Sequence, residues 1–139
     1  MRQIVWFIAL GCLSYLVDIS TADSKYKTCM NLKAQGVHLL HHIIYMFVTF
    51  GFLANDKTVL KLWLVVVAVH LLHWQTNGDK CAVTQWYNKQ CNYSGGIRDM
   101  FSVMGWQEIS NKLIPDGKRM GQKLVFGLGI LFAGYKLLK

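Results

Sequence analysis

The histidines are the residues whose types and spacing could most directly carry chemistry. All 5 lie in two apolar stretches, GVHLLHHIIYMF from Gly36 and VHLLHWQTNGDKC from Val69, and each stretch contains a His-x-x-His pair. The histidines are His38, His41, His42, His70 and His73. Residues three or four positions apart share a helix face, so each stretch presents imidazoles side by side. Neutral imidazole is a ligand for zinc, copper, iron and haem, which makes a metal or haem site one prediction.

The connection between the two stretches would bring the histidines together. Residues 55–58 form a turn too short to join anything but antiparallel neighbours. In such a hairpin His41 and His42 lie level with His70 and His73, to within one helical turn. His38 lies about one turn further out. The sequence therefore predicts a single histidine cluster near one membrane face.

Three interpretations of that cluster stay open. The histidines can serve as polar packing between helices, as ligands of a haem or transition metal, or as proton carriers. Neither hairpin helix contains Asp or Glu, so a carboxylate-bridged di-iron site is excluded. We predict structural polar packing without a bound cofactor or metal, and keep a haem or transition-metal site as the alternative.

No complete catalytic set is visible elsewhere in the chain. There is no GxSxG, no CxxC and no glycine-rich phosphate loop, so we predict that the protein is not an enzyme. Of the 4 cysteines, Cys12 lies in the first apolar segment, and Cys29, Cys81 and Cys91 lie in polar segments. Two of these three are candidates for a disulfide, and Cys81 with Cys91 is the simplest pair.

The elements that must position the histidines are apolar helices. Hydrophobic residues make up 53% of the 139 residues and are concentrated in segments at about 4–19, 36–54, 59–74 and 124–138. A membrane span needs about 20 mostly apolar residues. We predict a single all-α membrane domain over 1–139 with about four transmembrane helices and a central antiparallel hairpin. The first segment has an alternative interpretation as a cleaved signal ending near Ser20-Thr21-Ala22.

Residues 75–123 are predicted to lie at the membrane surface. The apolar residues of 97–114 indicate two short amphipathic helices with a break near Gly105. Aromatic and basic side chains suit the headgroup layer, where a ring or a long basic stem meets both oil and water. The candidate anchoring residues are Trp74, Trp86, Trp106, Lys118, Arg119 and Lys123.

The formal net charge of +8 arises from basic residues beside the apolar segments. Lipid phosphates explain this distribution, so the bilayer is the predicted partner and nucleic acid is not. Most Lys and Arg residues fall on the side of the 75–123 loop, which favours a cytoplasmic loop. The cysteines there and the Asn92-Tyr93-Ser94 glycosylation sequon favour the opposite side, so the orientation stays open.

The last apolar segment contains closely spaced small residues. Gly129 and Ala133 form a small-xxx-small pattern, which lets two helices approach closely. The pattern predicts a packing contact either within the chain or between copies, as in self-association through the last helix.

The run His70-x-x-His73-Trp74-x-x-Asn77, followed by Cys81-x-x-Thr84 and the segment 92–97, resembles a signature of small uncharacterised multi-pass membrane proteins. The resemblance covers about 36–105. This chain has Ala82 where those proteins have Pro after the Cys, and Gln85 where they have an acid after the Thr. That family implies a helical membrane protein and transfers no chemistry.

In type, a small, basic, aromatic-rich multi-pass chain is also similar to the membrane-embedded minor capsid proteins of large icosahedral algal DNA viruses. That resemblance implies a structural role at a virion inner membrane or capsid–membrane interface, with other proteins of a large assembly as partners. We therefore expect a non-enzymatic membrane protein that docks a protein assembly at a bilayer. The alternative is a small membrane redox protein built on the two His-x-x-His helices.

Overall fold

The computed structural model describes residues 2–22, 32–78, 80–92, 97–98, 112 and 117–139, with only the backbone for 117–120. Within these residues every regular element is helical. The elements are α1 (Arg2–Thr21), α2 (Leu32–Phe50), a 3₁₀ turn (Gly51–Leu53), α3 (Lys57–Thr76), α4 (Ala82–Cys91) and α5 (Gly117–Leu138). The predicted all-α class is confirmed.

Three helical segments are long and apolar enough to cross a membrane: Arg2–Thr21, Leu32–Leu53 and Lys57–Thr76. They cover the first three predicted spans except residue 54, and they extend beyond the predicted bounds at the other five ends. The fourth predicted span lies in α5, which has 22 residues. α5 begins seven residues before the predicted bound at 124, because Lys and Arg are good helix formers and continue the helix past the apolar run.

α1 and α2 pack against each other as an antiparallel pair. Near one end the rings of Phe7 and Phe47 meet edge to face with centroids 5.3 Å apart. Near the other end Asp18 contacts His38. Residue numbers increase along α1 while the numbers of the contacting residues decrease along α2. The two helices therefore run antiparallel along most of their length.

A glycine sets the close approach of this pair. A Cβ added at Gly11 would lie 2.5 Å from the Cα of Ile43, which is closer than any real Cβ contact. The backbones of α1 and α2 can therefore come this near only because position 11 has no side chain. Small residues serve this purpose widely in membrane helices.

α3 provides the centre of the apolar core. Trp63 is completely buried, and its Nε1–H donates a 2.9 Å hydrogen bond to the carbonyl oxygen of Val48 on α2. α3 follows α2 after a short connection, as the predicted hairpin requires. The contact between Trp63 and Val48 lies close to that connection, whereas the partner that follows α2 along its length is α1.

Side chains from both ends of the chain complete the connection between α2 and α3. The Gln3 Oε1 accepts the backbone N–H groups of Asn55 at 3.1 Å and Asp56 at 3.0 Å. The Lys136 Nζ donates to the carbonyl oxygens of residues 53 and 54, at 3.1 and 2.9 Å. These bonds place the start of α1 and the end of α5 at the same end of the helix bundle.

α4 lies at the opposite end. Tyr87 is 3% exposed and packs in a small apolar cluster with Ala22 and Ala34, which adjoin the ends of α1 and α2. The sequence predicted only a surface segment here, so α4 is an addition. The two amphipathic helices predicted within 97–114 lie outside the described residues, except for positions 97, 98 and 112.

Candidate functional site: a buried aspartate–histidine cluster

The polar residues of α1 and α2 are buried between the two helices. Ser14, Asp18 and His42 are completely buried and His38 is 2% exposed. Ser14 and Asp18 are four residues apart on α1, and His38 and His42 are four residues apart on α2. Both pairs therefore lie on single helix faces, and the antiparallel packing turns those faces toward each other.

The side chains of the cluster converge on one carboxylate oxygen. The Asp18 Oδ2 lies 2.7 Å from the Nε2 of His38 and 3.3 Å from the Nε2 of His42. The two Nε2 atoms are 3.1 Å apart. At its other ring nitrogen, Nδ1, His42 is hydrogen-bonded to the Oγ of Ser14 at 2.8 Å. The hydroxyl thus orients this imidazole toward the carboxylate.

An arginine from a distant part of the chain binds the second carboxylate oxygen. The Arg98 Nε donates to the Asp18 Oδ1 at 2.8 Å, and an NH2 nitrogen of Arg98 donates to the Asp18 backbone carbonyl, also at 2.8 Å. The Arg98 side chain is 30% exposed. Because a buried carboxylate without a counter-charge is very costly, Arg98 offsets part of the cost of burying Asp18.

Two tyrosine rings enclose His38. The ring of Tyr15 meets His38 edge to face with centroids 4.9 Å apart, and the ring of Tyr87 lies 5.4 Å away. Tyr15 comes from α1 and Tyr87 from α4, so three helices define the position of this imidazole. The cluster is therefore a fixed polar site within an apolar surrounding.

The arrangement offers metal-ligand atoms. Among the described residues, Asp18, His38 and His42 form a group whose ligand atoms all lie within 4.8 Å of one another. Two imidazole nitrogens and a carboxylate oxygen suit a transition-metal ion. A bis-histidine haem does not fit here, because its axial nitrogens stand on opposite sides of the ring plane, whereas these two nitrogens are in direct contact.

The other three histidines make contacts outside this group of three, and a single cluster of all five histidines stays a prediction. The Nδ1 of His41 lies 4.0 Å from the Sγ of Cys81. The His73 Nε2 accepts the backbone N–H of Ala82 at 3.1 Å and so caps the start of α4. His70 packs on the ring of Trp74 at 4.4 Å. The prediction assigned both His-x-x-His faces to the hairpin, whereas the face of α2 that carries His38 and His42 meets α1.

Sequence reasoning missed Asp18, Ser14 and Arg98. Asp18 lies near the end of the first predicted span, at about 4–19. The available signal was the matching four-residue spacing of Ser14 with Asp18 and of His38 with His42, on either side of a short connector. No local signal marks Arg98, because it lies 80 residues from Asp18 in the chain.

The predicted disulfide between Cys81 and Cys91 is also wrong. Cys81 is a free thiol, as is Cys12, whereas Cys91 is disulfide-bonded. Cys81 and Cys91 stand at opposite ends of α4, a helix of 10 residues. Such a helix is about 15 Å long, and a disulfide needs Cα atoms closer than about 7 Å. The remaining cysteine, Cys29, lies outside the described residues.

The candidate anchoring residues have different positions. Trp74 is a half-buried residue of α3 whose ring faces α5, with its centroid 6.0 Å from that of Phe126. Its Nε1–H is buried and has no hydrogen-bond partner among the described residues. Trp86 and Lys123 are exposed. Trp106 and the side chains of Lys118 and Arg119 lie outside the described residues.

The small residues of the last helix pack within the chain. A Cβ added at Gly129 would lie 2.9 Å from the Cη2 of Trp63, and Ala133 is completely buried in the same core. This face of α5 is therefore occupied by α3 and the 3₁₀ turn. It is not open to a second copy of the chain.

No known protein family, curated protein or solved structure matches this chain. The interpretation of the site therefore depends on its geometry.

Proposed function

We propose that this chain is an integral membrane protein with four spans, acting as a non-enzymatic structural component that docks a protein assembly at a bilayer. The observation that carries the membrane assignment is the inverted polarity of the bundle. Ionisable side chains are buried between α1 and α2, whereas large apolar side chains face outward on α1, α2, α3 and α5. Examples that are more than half exposed are Val5, Trp6, Leu13, Leu16, Leu40, Val65, Val69, Leu72, Leu128 and Leu131.

An aqueous environment would disfavour such a surface. Soluble monomers rarely expose continuous apolar patches larger than a few hundred Å². Lipid tails, by contrast, are as apolar as these side chains and solvate them well. A lipid environment also requires polar groups to find hydrogen-bond or charge partners inside the bundle. α5 is the fourth span in this proposal, since Lys136 reaches the same end of the bundle as Gln3 and the α2–α3 connection.

The docking role depends on the end that carries α4. Trp86 and Lys89 are exposed on α4, and Lys80 is exposed just before it. Aromatic rings and long basic side chains suit contact with a headgroup layer or a protein partner. The similarity in type to membrane-embedded minor capsid proteins makes a virion inner membrane the setting that we propose for this contact.

The disulfide at Cys91 favours an oxidising compartment for the α4 end, because cytosolic thiols are usually kept reduced. The adjacent sequon beginning at Asn92 agrees with this placement. We therefore propose that the α4 end is exoplasmic, although the distribution of Lys and Arg by itself favours the opposite orientation.

Amine-reactive cross-linking in native membranes tests the docking role. Lys80 or Lys89, at the α4 end, should be cross-linked to the same partner protein in repeated experiments. Lys57 and Lys139 are exposed lysines near the opposite end and serve as matched controls. Deletion of 99–114, which keeps Arg98 bonded to Asp18, should remove the cross-links while the protein remains resistant to alkaline extraction. Extraction of the intact protein by alkaline carbonate would refute the membrane assignment, and equal cross-linking from both ends would refute the docking face.

A further inference from the structure

The polar cluster between α1 and α2 goes beyond what a structural membrane protein needs. Its three potential ligand atoms are the Asp18 Oδ2 and the Nε2 atoms of His38 and His42. All three side chains are almost fully buried. Each of these atoms lies within 3.3 Å of the other two. Pairwise hydrogen bonding between two helices does not require three such atoms to meet at one point.

The spacing of the three atoms fits a metal ion. Their separations are 2.7, 3.1 and 3.3 Å. A tetrahedral zinc ion bonded to two imidazoles and a carboxylate holds neighbouring ligand atoms about 3.3–3.5 Å apart. The three atoms lie about 1.8 Å from the centre of the circle through them, so an ion just above their plane reaches all three at about 2.0 Å. Tetrahedral spacing requires the shortest separation, 2.7 Å, to widen by about 0.6 Å.

Surrounding groups orient the ligands as metal sites require. Ligand histidines generally use their second ring nitrogen in a hydrogen bond that fixes the tautomer. When the Nδ1–H of His42 donates to the Ser14 Oγ at 2.8 Å, its Nε2 lone pair faces the site. Arg98 binds the Oδ1 of Asp18 and leaves Oδ2 directed at the two imidazoles. Orientation of the ligands therefore comes from a hydroxyl and a guanidinium outside the ligand set.

We infer that Asp18, His38 and His42 form a binding site for one divalent transition-metal ion of the zinc type. The donor set of two nitrogens and one oxygen favours zinc over magnesium and calcium, which prefer oxygen ligands. The described residues supply three ligands, and a tetrahedral ion takes a fourth. The ion ties α1 to α2 at the end of the bundle that carries α4. This site is independent of the proposed docking role.

Metal binding by the full-length protein in detergent micelles tests the inference. After chelator treatment and buffer exchange, Zn²⁺ titrated against a chromophoric chelator should bind at one equivalent per chain. Co²⁺ should give the intense visible bands of a tetrahedral site. His42→Gln should weaken Zn²⁺ binding by more than about 100-fold, the upper range for loss of an outer-shell partner, and Ser14→Ala should weaken it by about 10-fold.

His70→Gln and His41→Gln are the matched controls, because they remove imidazoles from the same bundle outside the ligand set. Both should bind Zn²⁺ as the wild type does. Circular dichroism checks that each variant remains helical, and Asp18→Asn provides a second ligand change if His42→Gln does not fold. Failure of helical, monodisperse wild-type protein to bind Zn²⁺ would overturn the inference. Equal loss of binding in His70→Gln and His42→Gln would overturn it too.

Discussion

Replacement of Arg98 by methionine should destabilise the bundle, because it removes a cationic partner of the buried Asp18 carboxylate. Methionine keeps much of the length and the apolar stem of the side chain but removes both donors. The wild-type bonds are 2.8 Å from Nε to Oδ1 and 2.8 Å from an NH2 nitrogen to the Asp18 carbonyl. The change therefore tests whether this ion pair fixes the α4 end of the bundle to α1.

The size of the effect follows from burial. Removing one partner of a fully buried ion pair costs about 3–5 kcal/mol. Asp18 is completely buried, but the Arg98 side chain is 30% exposed, so water can reach part of the uncompensated charge. We therefore expect Arg98→Met to lower the free energy of unfolding by about 2–3 kcal/mol, below the range for a dry pair.

A double-mutant cycle separates this effect from lost packing. Wild type, Arg98→Met, Asp18→Asn and the double variant are unfolded by SDS in mixed micelles with a chelator present, and helicity is followed. In the Asp18→Asn background, Arg98→Met should cost less than about 1 kcal/mol, giving a coupling of roughly 2 kcal/mol. Lys80→Met is the control for adding an apolar side chain at this end and should change little. An equal cost of Arg98→Met in both backgrounds would refute the ion-pair explanation.

Three further outcomes can be measured. Gly129→Leu should destabilise the protein by about 1–3 kcal/mol through overpacking, whereas Gly127→Leu, which meets open space, should be neutral in the same SDS titration. Without reduction, peptide mapping should find Cys81 alkylated and Cys91 protected, and alkylation of both would contradict the disulfide. Backbone N–H groups of α3 hold the pKa of Asp56 below its ordinary value, so its capping contribution should be complete at neutral pH and decrease as the pH falls below about 4. Asp56→Asn should lose that part of the pH dependence of the melting temperature, and an unchanged profile would argue against the cap.

The fold class and three apolar helices could be predicted from sequence because they depend on local composition. Long uncharged runs mark the helices whatever their neighbours are. Helix ends were less predictable, since basic residues extend α5 back to Gly117. α4 was missed because its 10 residues carry a mixed polar sequence without a long apolar run.

The site was only half predictable, because it depends on which helices are neighbours. His38 and His42 were recognised from their residue type. Their partner Asp18 was not, because a short turn identified α3 as the neighbour of α2 and no comparable rule pointed to α1. Arg98 required knowledge of a contact across 80 residues of chain. A four-residue spacing of polar residues in two successive apolar helices is the signal that would have identified the pairing.

The two main helix contacts of this bundle show that the polar cluster is not required for packing alone. α5 is held on α3 by small residues against Trp63, and the described residues show no ion pair in that contact. α1 has the same means available, since Gly11 already lets its backbone approach α2. A buried ion pair contributes little compared with well-packed apolar residues of similar volume, although removing one partner is costly. Joining α1 to α2 through a carboxylate, two imidazoles and a guanidinium therefore stabilises the contact less than apolar packing would. The cluster has a reason to exist if the carboxylate and imidazoles also hold a ligand. The same reasoning explains why Arg98→Met should destabilise the protein when residue 18 is Asp and should have little effect in the Asp18→Asn background.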